Sequence, residues 1–112
     1  MRDYFERKDL EDFNNGKIGE SGKELWDSFL KYYGPVFEEG ALTTREKNLI
    51  ALAVAHAVSC PYCIEAYTVA SLESGYTKEQ MMEAVHVASA ITGGATLAHG
   101  IQMSKIVDEL EI

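Results

Sequence analysis

Cys60 and Cys63 are the only two cysteines in 112 residues, and with Pro61 and Tyr62 between them they form a C-x-x-C pair inside a helical stretch. Thiols at this spacing can close a small disulfide ring or share a metal. Where such a pair opens a helix, the positive end of the helix dipole lowers the thiol pKa and makes one sulfur a nucleophile. Structural zinc usually takes four protein ligands, most often two such pairs, and here one exists. His56, His86 and His99 lack the paired spacing of a zinc finger, so no resident metal and no other cofactor is expected. A purely structural disulfide does not suit a reducing cytoplasm. Redox chemistry is the leading reading, and two inert core thiols are the alternative.

Around the pair stand several groups able to move or hold a proton. His56 lies four residues before Cys60, one turn away if the helix persists, and a histidine there can act as a base near neutral pH. It is either a base for the thiols or a satisfied histidine of a buried helix. Tyr62 and Tyr67 can donate hydrogen bonds to a thiolate or a peroxide oxygen, or merely line a pocket. Glu46 is the nearest acid on the preceding helix, although a capping role already accounts for it. His86, set among Val85, Val87 and Ala88, belongs either to the core or near the thiols through helix packing.

The elements that must carry these residues read as helices, with no sustained period-2 alternation. A short polar segment from about Arg2 to Phe13 ends at the Asn14-Asn15-Gly16 turn. An aromatic helix from about Ser21 to Phe37 follows, with Leu25, Trp26, Phe29, Leu30 and Tyr33 on one stripe and Pro35 at its end. Thr43-Thr44-Arg45-Glu46 is a capping box opening a third helix that is apolar on nearly every face from Leu49 to Val58. A helix without a polar face must be buried all round, so an oligomer is expected with this helix near its centre. Pro61 either breaks the preceding helix or pre-organises the first turn of the next, which runs to about Ser74 and stops at Gly75. Thr77-Lys78-Glu79-Gln80 is a second capping box; Gly93-Gly94 is expected to break the helix it opens, with a last helix from about Ala95 to Leu110. The sum is an all-α single domain over residues 1–112, a bundle of five to six helices, with N-terminal helices in 1–40.

Composition narrows the partners. Eighteen acidic against ten basic residues give a net charge of −8, which repels phosphate backbones and anionic membrane surfaces. No nucleic-acid or membrane partner is expected. The charged N-terminus lacks the apolar core of a signal peptide, and the longest apolar run is about half a membrane span. A soluble, cytoplasmic protein is the expectation.

The block from Leu42 to about Val107 carries a wider resemblance. It reads Leu42-Thr43-Thr44-Arg45-Glu46-Lys47-Asn48-Leu49-Ile50-Ala51-Leu52-Ala53-Val54-Ala55, then the cysteine pair, then Ala70, Gly75, Glu83-Ala84-Val85-His86-Val87-Ala88 and Gly93-Gly94. This resembles the carboxymuconolactone decarboxylase / alkylhydroperoxidase D-like superfamily, whose core would occupy 42–110. With its aromatic N-terminal extension, the chain is most similar to the small peroxidase-like members associated with arsenosugar biosynthesis. Cys-Pro-Tyr-Cys is also the glutaredoxin active-site tetrapeptide, but there it follows a β-strand, whereas Ala51–Ala57 here is helical in character.

The resemblance implies a relay of glutamate, two cysteines and histidine. Cys63 would attack the peroxide and Cys60 would resolve the sulfenic acid as a disulfide. Two positions depart from that relay: Asn48 stands where the glutamate belongs and Tyr67 where the histidine does. Tyrosine is a poor base near neutrality and asparagine carries no proton. The leading expectation is a thiol-dependent peroxidase or disulfide reductase served by an external dithiol reductant, with His56 as the base. A non-catalytic module binding a metal, metalloid or thiol partner through the pair is the alternative, and a lactone-acid decarboxylase the third. The family also implies a homo-oligomer, trimer or hexamer.

Overall fold

The computed structural model describes residues 6–110, which hold five α-helices and one 3₁₀ turn and, among those residues, no strand. The helices are α1 (Arg7–Asn14), α2 (Lys23–Val36), α3 (Thr44–Ala57), α4 (Pro61–Glu73) and α5 (Lys78–Leu110), with the 3₁₀ turn at Lys17–Ser21. The fold is all-α, as the sequence predicts. That part of the first segment which precedes residue 6 lies outside the described residues.

Local signals set most of the boundaries. Thr43 accepts from the Glu46 backbone N–H at 3.0 Å, and the Glu46 carboxylate accepts from the Thr43 N–H at 2.9 Å, so both halves of the capping box are made. Those backbone and hydroxyl donors of Thr43 hold the Glu46 carboxyl below its ordinary range. Thr77 and Gln80 exchange the same pair of bonds at the start of α5. Gly75 takes the left-handed conformation (φ 87°) that stops α4, and the Tyr76 N–H reaches back to the Ser71 carbonyl at 3.1 Å.

The end of α3 uses the same closure without a glycine. The Cys60 N–H bonds the Ala55 carbonyl at 3.0 Å, and Ser59 sits in the left-handed region at φ 55°. A residue with a Cβ is strained there by about 1 kcal/mol. Ser59→Gly is therefore expected to raise stability by about 0.5–1 kcal/mol, read as a higher urea midpoint at unchanged slope.

One expected boundary does not exist. α5 runs unbroken through Gly93-Gly94, so the fifth and sixth predicted helices are one element of 33 residues. Glycine in a helix costs only about 1 kcal/mol, and both positions keep negative φ. Thr92 and Thr96 beside them donate their hydroxyls to the Ala88 and Thr92 carbonyls inside the same helix. A good helix on either side carries two weak positions along with it.

The core is small. α3 packs against α4 and α5, burying Leu52 and Ala55, with Ser71 of α4, Ala88 of α5 and Tyr76 between them. The Arg45 guanidinium lies 3.8 Å over the Tyr76 ring and donates to the Ser74 carbonyl at 2.9 Å, which pins the α4–α5 turn to α3. In front of this core, α1 and α2 are joined by rings. Phe13 meets Trp26 edge-on at 5.1 Å, and Trp26, Phe29, Tyr33 and Phe37 follow one another along α2 at 5.2–5.8 Å. Gly19 lets the 3₁₀ turn close on this row, since a Cβ there would stand 2.8 Å from the indole of Trp26. The aromatic stripe expected from the sequence thus divides: Trp26, Phe29 and Tyr33 stack, while Leu25 is 80% exposed.

Candidate functional site

Proline at the first position of α4 has no N–H to lose there and the right φ to start a helix. Cys60 is consequently the residue before the helix, and its sulfur accepts a hydrogen bond from the Cys63 backbone N–H at 3.2 Å. Cys63 follows in the first turn, and the two are joined as a disulfide with Cα atoms 5.3 Å apart. Both sulfurs occupy the positive end of a 13-residue helix. On reduction, an anion on the Cys60 sulfur is favoured by that field and by the donor it already holds.

The pair forms one wall of a cavity of about 500 Å³. Tyr62, Ala66 and Tyr67 of α4 continue that wall. Leu10 and Phe13 of α1, Ile18 of the 3₁₀ turn and Tyr33 of α2 close it from the other side. Its lining is mainly apolar, with Asp9, Asp12, Asn14 and Lys17 adding polar groups. Tyr67 stacks on Phe37 at 5.3 Å, so the aromatic row of α2 ends on the cysteine helix. α1 is tied down by the Tyr62 hydroxyl, which donates to the Asp9 carboxylate at 3.1 Å, and by Arg7 on Glu65 at 2.7 Å. Desolvation first, and then the Asp9 carboxylate, push the Tyr62 phenol above its ordinary value; desolvation also raises Tyr33.

Of the residues singled out in the sequence, Cys60, Cys63, Tyr62 and Tyr67 come together on this cavity. His56 does not join them. α3 ends at Ala57 and the left-handed Ser59 turns the chain, so the helical register that would set His56 beside Cys60 is lost. Its Nδ1 faces the Leu52 carbonyl at 2.8 Å, and its ring lines a separate hollow with Ser89 and Thr92 of α5. Glu46 lines a third hollow with Arg45 and Tyr76, and His86 is exposed on α5. Asn48, at the relay's glutamate position, donates to the Ser74 hydroxyl at 3.0 Å. Sequence reasoning missed Asp9, Phe13 and Tyr33; they reach the cysteines only through the docking of α1 and α2, which no local signal announces. Among the described residues, no cluster of three or more histidine, cysteine or acidic side chains is arranged to hold a metal ion.

A thiol pair at the start of a helix that packs, with α5, against α3 places this chain among all-helical cysteine-pair proteins, not among the βαβ folds that share its tetrapeptide. Residues 23–105 match the carboxymuconolactone decarboxylase family, and the chain belongs to that family. A relative described as uncharacterized protein 4 in cox locus, from Paracoccus denitrificans, is 41% identical over 96 residues, 86% of each chain. A crystal structure of a protein from Methanobacterium thermoautotrophicum, a structural genomics target, superposes with a TM-score of 0.72 at 34% identity. That match covers 77% of this chain and 97% of the other. α1 and the 3₁₀ turn precede the matched residues, so Leu10, Phe13 and Ile18 of the cavity come from chain outside the family region while Tyr33 lies within it.

Proposed function

We propose that the protein is a thiol–disulfide oxidoreductase that reduces a hydroperoxide, or a related substrate, with the Cys60–Cys63 pair. The single observation that carries this reading is a closed C-x-x-C disulfide at a helix start, forming the wall of an apolar cavity of about 500 Å³. In the reduced protein the Cys63 thiolate attacks the outer peroxide oxygen. The O–O bond breaks, an alcohol leaves with a proton, and Cys63 becomes a sulfenic acid. The Cys60 thiolate then attacks that sulfur and expels hydroxide as water, closing the disulfide. An external dithiol reopens it: one thiolate attacks Cys63, Cys60 leaves as the anion its N–H partner stabilises, and the second thiol completes the exchange. Two electrons pass from dithiol to peroxide.

Tyr67 offers a hydrogen-bond donor at the cavity wall, while the Tyr62 hydroxyl donates its hydrogen bond to Asp9. A proton-transfer role for His56 would require it to reach the sulfurs from the α5 side of Ser59. The narrower likeness to arsenosugar-associated members agrees with a peroxidase-like chemistry. Thiol titration by mass spectrometry before and after a hydroperoxide tests the reading. Prompt loss of both thiols with formation of the Cys60–Cys63 bond supports it, and a pair indifferent to peroxide sinks it. Soft thiolates also suit soft ions. Elemental analysis of protein purified without chelator decides whether the pair instead holds a metal or metalloid.

We also infer a homo-oligomer, a trimer or hexamer, in a reducing cytoplasm. The chain exposes 8822 Å² and has a radius of gyration of 18.6 Å. A compact monomer of this mass exposes about 6100 Å² and one of this length has a radius near 13 Å. Ile50 and Val54 of the apolar α3 are half exposed, and Leu97 on the far half of α5 is 78% exposed. No described helix is long and apolar enough to cross a membrane.

A further inference from the structure

The cavity of the cysteine pair carries two carboxylates that the proposed chemistry does not use. Asp9 and Asp12 line it from α1, which precedes the family match. Asp12 has a cation beside it, Lys17 at 3.8 Å. Asp9 is held by the Tyr62 hydroxyl, a neutral donor, at 3.1 Å. Tyr62 lies between the two cysteines in sequence, so this carboxylate is fastened to the redox turn itself. Among the described ion pairs none neutralises Asp9. A lone anionic charge beside an apolar, partly desolvated space is screened less than one in open solvent.

From this placement, and resting on the redox reading above, we propose that Asp9, with Asp12, makes the site select its thiol and peroxide substrates by charge. It admits apolar molecules that are neutral or cationic at the entering end and turns away anionic ones. The apolar side groups supply the attraction. The carboxylate supplies the discrimination, because an approaching anion meets like charge just where water has been displaced. The aspartates are specificity determinants; neither exchanges a proton or an electron.

Opening of the disulfide by three small thiols tests this directly. Cysteamine is cationic, 2-mercaptoethanol neutral and thioglycolate anionic, and each reaction is 2 RSH + protein disulfide → RSSR + protein dithiol. Second-order rates per thiolate, each taken relative to the same thiol's rate with a small uncharged disulfide, are expected to fall in that order, with about a tenfold spread at low ionic strength, narrowing in high salt. Asp9→Asn with Asp12→Asn should shrink the spread to about threefold or less. Asp108→Asn with Glu109→Gln, which changes the net charge by the same amount on the far end of α5, should leave it intact. A wild-type protein without the ordering, or a remote control that narrows the spread equally, overturns the proposal while leaving the redox reading standing. A disulfide that none of the three thiols opens overturns both.

Discussion

Cys63→Ser is expected to consume hydroperoxide no faster than buffer, a loss of the entire catalysed rate, while Cys60→Ser reacts once and stops. The asymmetry follows from the role proposed above for each sulfur. Without Cys63 no thiolate attacks the O–O bond, and the serine hydroxyl is not ionised at neutral pH. Without Cys60 the attack still occurs, but the sulfenic acid at Cys63 has no neighbour to close on. One equivalent of peroxide then disappears per chain, and mass spectrometry finds a single added oxygen on the peptide carrying Cys63. In wild-type protein with a dithiol the same assay turns over continuously. Equal turnover by both variants would remove the roles assigned to the pair. A Cys60→Ser protein that takes up no oxygen would reverse them, making Cys60 the attacking thiol.

Leu52→Ala is expected to lower stability by about 3 kcal/mol, within the usual range for a buried leucine. Leu52 is only 1% exposed and is the largest wholly buried side chain of the described residues, placed where α3 meets its neighbours. Few other residues share the core, so the cavity left behind has little around it able to collapse inward. Against a total of about 5–15 kcal/mol for a domain, that single change consumes much of the margin. Urea unfolding followed by far-ultraviolet circular dichroism reads it as a lower midpoint. Leu25→Ala, at a side chain 80% exposed, should move the midpoint by less than about 0.5 kcal/mol equivalent.

What the sequence revealed was local. Both capping boxes, the proline at the start of α4 and the glycine that closes it are decided by residues within four positions of one another. Each could be read without knowing the fold. Gly93-Gly94 deceived because a break is a property of the whole helix, and the turns on both sides outweigh the local cost. The position of His56 turned on a local condition instead. Its spacing to Cys60 means one helical turn only if a helix continues, and Ser59 ends it in a conformation that serine seldom takes. The cavity itself was half legible. Its floor follows from the cysteine motif, while α1, the 3₁₀ turn and Tyr33 arrive by packing of rings far apart in the chain. Asp9 looked like any acid on a polar helix until Tyr62 was found bonded to it.

The disulfide joins residues three apart at one end of a single helix, so it fastens no element to another. The contacts that hold α3 to α4 and α5 include no covalent link through those sulfurs. On the redox reading proposed above, each cycle makes and breaks a covalent link inside one helix end and none between helices.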